Sequence, residues 1–362
     1  MKHYDKSNWK KVRLGDVSTM FSGGTPSVDN KSFYNNGNIP FIRSGEIAET
    51  KTELYITEEA LNNSSAKLVQ RGDLLLALYG ATSGKVAISN IKGAINQAIL
   101  CIRSQMFLPA FLYHFLTYNQ TYIISTFLQG GQGNLSAEII KGLYVDVPPA
   151  SEQSKISNIL SQIDSHIENI ERIISKQESI KKTTLKMLLT PQSNWIHTNI
   201  GSLVTVLRGE SLQSKNFVSG NIPVVAGGVG IAGYHNKSNR PGNTITISAS
   251  GANAGFINFY KEPIFATDCS TISETNSLDT LFLYYVLKSK QDSIFKMQTG
   301  GAQPHVHPKD ISRINIFIPN LEEQQRIATQ LSEIDAHIEN LKQQLAKQRA
   351  IKQGLMDYFF GN

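Results

Sequence analysis

The chain has 362 residues, of which 40% are hydrophobic and 18% charged, with a formal net charge of +6. This composition excludes a disordered chain, which would carry fewer apolar residues and more uncompensated charge. The 27 Gly and 12 Pro show no three-residue period, which excludes a collagen-like fibre. The longest apolar run spans residues 281–287, far short of the ~20 needed to cross a bilayer. Two cysteines, Cys101 and Cys269, cannot build a disulfide framework or a four-ligand zinc site. The N-terminus lacks the apolar core of a secretion signal, so a cytoplasmic location is expected.

In chain order, residues 1–150 contain short β-like runs at 39–43, 73–79, 99–103 and 143–147, with one helical stretch near 109–126. Gly, Asn and Ser turns separate them. Pro148 and Pro149 then introduce a long helix over 151–190 that Pro191 ends. Residues 191–320 repeat the first pattern, with β-like runs at 222–226, 244–249 and 314–318 and a helical stretch near 279–296. Asn320 with Glu323 caps a second long helix in 321–362. The fold class expected is α+β: two mixed domains, 1–150 and 191–320, joined by two long antiparallel coiled-coil helices, 151–190 and 321–362.

The chain is one unit written twice. EQSKISNILSQIDSHIEN (152–169) and EQQRIATQLSEIDAHIEN (323–340) agree at 11 of 18 positions, at an offset of 171. The offset persists upstream, pairing Pro148 with Pro319 and Phe111-Leu112-Tyr113 with Phe282-Leu283-Tyr284. It widens to 186 near the start of each unit, where Trp9 meets Trp195 and Gly15 meets Gly201. In the helices, Ile156, Leu160, Ile163, Ile167, Ile170 and Ile174 are spaced 4-3-4-3-4, and Ile327, Leu331, Ile334, Ile338, Leu341 and Leu345 copy them. A sustained 3.5-residue spacing is a coiled-coil seam. The two seams are expected to bury each other within a pseudo-two-fold body, a homodimeric four-helix arrangement being the alternative. Residues 1–150 and 191–320 each carry +3, while the helices carry +1 and −1. A polyanion would therefore bind the divergent domains.

Several catalytic look-alikes fail on context. Gly228–Gly233 matches G-x-G-x-x-G, but a polar turn follows instead of the helix that would hold a pyrophosphate. Gly80–Lys85 is one residue short of a P-loop, and Val86 stands where a metal-binding Ser or Thr belongs. His305 and His307 lack a third clustered ligand. No nucleophile–base pair stands out, and no metal site is expected. More informative are the polar, glycine-rich loops. Arg43, Ser44, Tyr79, Lys85, Asn96, Gln97, Gln129, Gln132 and Asn134 in the first domain are candidates for DNA contact. So are Ser248, Ser250, Asn253, Asp268, Gln298, Gln303 and His305 in the second. Gln, Asn and Arg make bidentate contacts to base edges, and glycine lets backbone amides approach phosphates. Each loop alone is also an ordinary turn; recurrence at matching places in two basic domains favours nucleic-acid reading.

The signature Pro-Pro-x-x-Glu152-Gln153-x-x-Ile156-x-x-x-Leu160-x-x-Ile163-Asp164, with its copy at Glu323-Gln324-x-x-Ile327-x-x-x-Leu331-x-x-Ile334-Asp335, resembles the specificity subunits of type I restriction–modification systems. Trp9…Leu14-Gly15-Asp16 and its weaker echo Trp195…Ile200-Gly201 add to the resemblance, which covers essentially the entire chain. Unit two departs at Asn320, in place of the second proline, and at Ser202, in place of Asp16.

The resemblance implies that each divergent domain recognises one half of a bipartite, asymmetric double-stranded DNA site. It implies that the helices set the spacer and dock two modification (methyltransferase) subunits through Glu152, Gln153, Ile156, Leu160, Ile163, Ile167, Ile170, Glu323, Gln324, Ile327, Leu331, Ile334, Ile338 and Leu341. S-adenosylmethionine, ATP and Mg2+ would belong to those partners and to motor-nuclease subunits, leaving this chain non-catalytic and without a cofactor of its own. A coiled-coil adaptor without DNA readout, and an enzyme with its site in the glycine loops, are the competing readings.

Overall fold

A computed structural model describes residues 4–127, 134–273, 278–300 and 303–361. The chain divides into two compact units, residues 1–170 with 344–362 and residues 171–343. Each unit therefore holds one head domain, the first half of the long helix that follows it and the second half of the other long helix.

Among the described residues the first unit has ten strands: β1 (Lys10–Arg13), β2 (Ser18–Ser22), β3 (Ile39–Ile42), β4 (Leu54–Ile56), β5 (Lys67–Val69), β6 (Leu74–Ala77), β7 (Val86–Ile88), β8 (Gly93–Ile95), β9 (Ile99–Ser104) and β10 (Tyr144–Val147). Its helices are α1 (Glu58–Asn62), α2 (Pro109–Tyr118), α3 (Gln120–Phe127), α4 (Ala137–Lys141) and the opening half of α5 (Ala150–Leu188). The strands form an antiparallel sheet ordered β2-β9-β6-β7, a second sheet ordered β4-β3-β8-β5 and a β1-β10 ribbon. β3 and β8 run parallel, Phe41 opposite Ala94 and Ile42 opposite Ile95.

The second unit repeats the plan with β11 (Ile196–Asn199), β12 (Leu207–Arg208), β13 (Ile222–Val225), β14 (Ile231–His235), β15 (Thr244–Ser248), β16 (Ile257–Tyr260), β17 (Phe265–Ala266), β18 (Cys269–Ile272) and β19 (Asn315–Ile318). Helices α6 (Thr280–Ser289), α7 (Gln291–Phe295), α8 (Pro308–Ser312) and α9 (Leu321–Phe360) follow. Its sheets are ordered β12-β18-β15-β16, β14-β13-β17 and β11-β19. β13 and β17 are the parallel pair. Among the described residues, β5 has no counterpart here.

Both Gly-rich look-alikes are hairpin turns. Gly80–Gly84 joins β6 to antiparallel β7, and residues 226–230 join β13 to antiparallel β14. Gly80 (φ +76°) and Gly84 (φ +81°) match Gly251 (φ +80°) and Gly255 (φ +88°) at the 171 offset. Only glycine takes that left-handed conformation at no steric cost, so G-A-x-x-G belongs to the repeated frame. Gly84 N–H donates to Ala77 O, and Gly255 N–H to Ser248 O.

Part of the expected seam has a different job. Ile156 and Leu160 are fully buried in the first unit's core beside Phe111, Leu112 and Leu116. Ile327 and Leu331 likewise join Phe282, Leu283 and Val286. The first turns of each long helix thus complete a head, in a core that the far end of the other helix also joins through Met356, Phe359 and Phe360 in the first unit and Leu185 and Leu188 in the second. Gln153 is buried as well: its Oε1 accepts from Leu108 N–H, and its Nε2 donates to the carbonyls of Met106 and Pro148. Gln324 repeats this, accepting from Asp279 N–H and donating to Pro319 O. Glu152 accepts from the Trp9 indole at 2.9 Å. The expectation that these residues form a docking surface is therefore corrected for Gln153, Ile156, Leu160, Gln324, Ile327 and Leu331, which are inaccessible inside their own heads.

Further along, Ile163, Ile167 and Ile170 are half-buried and Ile338 and Leu341 buried. In the first unit Lys352 Nζ reaches Asp164 at 2.5 Å. In the second, Lys181 pairs with Asp335 and Lys342 with Glu178. The α9 number falls as the α5 number rises, so the helical segments there run antiparallel. No helix among the described residues is long and apolar enough to cross a membrane.

Candidate nucleic-acid interface

In each head, chain segments far apart in sequence meet at the end of the parallel strand pair. In the second head β13 and β17 leave side by side, and Thr267 N–H bonds Val225 O at 2.8 Å. This brings residues 226–227 against 267–268. Ala249 N–H donates to Asp268 O, and Val306 N–H to Ala249 O, which adds the ends of β15 and of the loop before α8. Gly209 N–H bonds Cys269 O, adding the end of β12. A Cβ at Gly209 would lie 2.0 Å from Thr267 O, so a side chain there would force these segments apart. Between them lies a cavity of about 420 Å³, lined by Arg208, Ser211, Asp268, His305 and His307 among others.

The first head makes a similar convergence, with one bond in the same register and two displaced by one or two residues. Gly23 N–H donates to Asn96 O, Leu78 N–H to Ala98 O and Leu135 N–H to Leu78 O. A Cβ at Gly23 would lie 1.8 Å from Ile95 O. Offsets of 171, or 186 near the start of each unit, pair Gly23 with Gly209, Tyr79 with Ser250, Gln97 with Asp268 and Asn134 with His305. Backbone frame and glycines recur while the side chains differ, as expected when one scaffold carries two recognition chemistries.

The candidate residues sort by what they touch. Ser250 Oγ donates to Asp268 Oδ2, and Asp268 itself is exposed. The His305 ring lies parallel to that of His307, 6.1 Å away. In the first head, Gln97 is exposed and its Oε1 accepts from Thr25 Oγ1 at 2.8 Å. Tyr79 and Asn134 are exposed beside it in the chain's hydrogen-bonded frame, whereas Ser44 and Lys85 are half-buried. Gln303 is exposed and Asn253 half-buried, within the Gly251–Gly255 turn.

Four candidates are occupied in holding the loops. Asn96 Oδ1 accepts from Ala98 N–H, and Gln298 Nε2 donates to Ala254 O. Ser248 is buried and donates to Gly227 O. Arg43 is clamped by two carboxylates, with Nε and Nη2 on Glu46 and Nη2 on Glu53. The Glu46 hydrogen bond, followed by that to Glu53, raises the Arg43 pKa above its ordinary value. Burial opposes the Glu46 charge, but Arg43, two backbone N–H groups and Thr52 outweigh it and hold that carboxyl at about 2. In this arrangement Arg43 faces its own loop instead of presenting a free fork. Gln129 and Gln132 lie outside the described residues.

Sequence reasoning missed Thr25, Arg208 and His307, which share these sites with the nominated residues. The recurrent G-A-x-x-G and the paired Gly23 and Gly209 were the available signal. Cys101 and Cys269 are buried, and burial pushes both thiols up to about 12. Among the described residues, no three His, Cys, Asp or Glu gather as a metal site requires.

Comparison with known proteins places this architecture. A family model described as the type I restriction modification DNA specificity domain matches twice, over residues 6–178 and 192–348. The chain is 21% identical over 403 residues to the type I restriction enzyme MjaVIII specificity subunit of Methanocaldococcus jannaschii, covering 97% of this chain and 91% of that protein. It is 27% identical over 184 residues to the EcoR124I/EcoR124II specificity subunit of Escherichia coli, covering 48% and 45%. The solved S subunit of a type I restriction–modification system from M. genitalium superposes with a TM-score of 0.75 at 19% identity, over 98% of this chain and 96% of that one.

Proposed function

The chain belongs to the type I restriction–modification DNA specificity family, whose domain it carries twice, and on that premise we propose that each head reads one half of a bipartite, asymmetric site in duplex DNA. The recurrence of one convergent loop frame with different side chains, Gln97 and Asn134 in one head against Asp268 and His305 in the other, carries this reading. Similar frames hold a similar pose on DNA, and different side chains ask for different bases. The division into heads 1–150 and 191–320 with spacers 151–190 and 321–362 is part of the proposal. In it the continuous helices set the unread spacer, and their exposed faces, among them Glu168, Glu171 and Arg172, dock two methyltransferase subunits.

Adenine methylation from S-adenosylmethionine, and any ATP- and Mg2+-dependent translocation and cleavage by motor-nuclease subunits, would be partner activities in the cytoplasm. The chain itself would bind and position DNA without catalysing. A protein-only adaptor would have no use for two exposed, differently furnished polar sites.

The test is binding of the full-length chain to randomised duplexes across a salt series. Phosphate contacts predict that log K falls linearly with log salt, with an enriched sequence in two separated blocks. Salt-independent binding, or a pool that stays random, would refute the reading.

A further inference from the structure

We infer that the two heads read their half-sites with opposite hydrogen-bond polarity at one matching position, Asp268 accepting from a base and Gln97 donating to one. The inference rests on the DNA-reading function proposed above and names the base chemistry each head selects.

Asp268 and Gln97 occupy the same place in the repeated frame, following β17 and β8 where the parallel pair ends. Both are exposed, and each is held by one neighbouring hydroxyl. Ser250 Oγ donates to Asp268 Oδ2. Among the described residues Oδ1 has no partner, and a carboxylate offers only acceptors. Thr25 Oγ1 donates to Gln97 Oε1, which engages the acceptor end of the carboxamide, and among the described residues its NH2 has no partner. The restraint is thus similar in kind, but the free end has opposite sign.

A carboxylate facing phosphates is repelled by them, so Asp268 weakens any sequence-blind contact with DNA. It lines one cavity with Arg208, whose guanidinium stays charged and offsets part of that repulsion, leaving a directional acceptor. In the major groove an acceptor matches the exocyclic amino groups of cytosine (N4) and adenine (N6) and repels the O6 of guanine and O4 of thymine. A donor can be accepted by guanine O6 or N7, thymine O4 or adenine N7, and finds no acceptor on cytosine. The head with Asp268 should require cytosine or adenine at the position it faces, and the head with Gln97 should reject cytosine there.

Selection from randomised duplexes with the full-length chain and two variants tests this. In Asp268→Asn the Ser250 hydroxyl would hold the amide oxygen and leave the NH2 without a partner, copying Gln97. The cytosine preference at one position of one half-site should then fall about ten-fold or more, in line with ~1–3 kcal/mol for a good base contact, with guanine and thymine admitted in its place. Gln97→Glu should make the opposite change in the other half-site. In each variant the untouched half-site reports that the protein is folded and docked. If a variant loses selection in both halves, the other variant decides. Unchanged base preferences in both variants, or changes spread over both halves, overturn the polarity assignment while leaving DNA reading intact. A wild-type chain that enriches no sequence would overturn DNA reading itself.

Discussion

Replacing Gln153 by alanine should destabilise the first unit far more than any exposed change on the same helix. The side chain is 2% exposed and makes bonds of 2.8, 2.9 and 3.0 Å to Leu108 N, Met106 O and Pro148 O. Each bond contributes about 1 kcal/mol net, and a buried partner left unpaired costs about 1–3 kcal/mol. With some of the freed groups reaching water, the loss should be about 3–4 kcal/mol. For a unit of this size that corresponds to a Tm lowered by roughly 10 °C. Calorimetry of the full-length chain reads this as a shift of one unit's transition. Gln153→Met, which fills the volume without restoring the bonds, should recover little. A fall below about 3 °C in Gln153→Ala would refute the claim that this signature glutamine pins helix α5 to the head.

Lowering the pH should weaken the first unit through His114, which is fully buried beside Asp164, Ser161 and Tyr113. Burial holds its pKa at about 4, below the ~6.5 of the unfolded chain. The unfolded state therefore binds more protons in that window, so stability is full above pH ~6.5 and falls by about 3 kcal/mol as pH drops toward 4. His114→Tyr, which copies the Tyr285–Asp335 hydrogen bond of the second unit, should flatten this component in unfolding measured from pH 7 to 4; an unchanged slope would exclude His114 as its source. Among the glycines, Gly251→Ala meets open space at φ +80° and should cost about 1 kcal/mol of conformational strain. Gly209→Ala drives a methyl into the Thr267 carbonyl and should cost more and erase base preference in the second half-site; equal effects in stability and selection would contradict the convergence described at that strand end.

The long helices were legible because a 3.5-residue apolar spacing survives any tertiary context. They run Ala150–Leu188 and Leu321–Phe360, close to the bounds expected. The spacing could not say what each apolar residue faces, and Ile156 and Leu160 share one core with α2 as well as with the end of α9 because the first helical turns close the head. Strands 39–42, 74–77 and 99–104 were readable as continuous apolar runs. β1 and β11 were not: Lys10–Arg13 and Ile196–Asn199 are mostly exposed, and their partners lie over a hundred residues downstream. In the sites, residue type brought out Asp268, Gln97 and His305 as candidates, but Arg43 looked like a free guanidinium because no sequence pattern shows Glu46 and Glu53 folding back onto it. The G-A-x-x-G repeat was visible at a constant offset, yet its resemblance to a P-loop drew attention to the lysine instead of the glycines.

The two lysine–aspartate pairs have a consequence for alignment. An apolar seam of period 3.5 is degenerate: sliding one helix by seven residues still sets hydrophobic groups against hydrophobic groups. Lys181 and Lys352 each follow their own helix's aspartate by the same interval, 164 to 181 and 335 to 352, about 25 Å along the axis. Within its own unit, each pair forms at a single setting of the antiparallel segments. A slip in either unit strands a half-buried carboxylate and an ammonium group. The charges act as a vernier on a scale whose hydrophobic divisions are too coarse to be read alone.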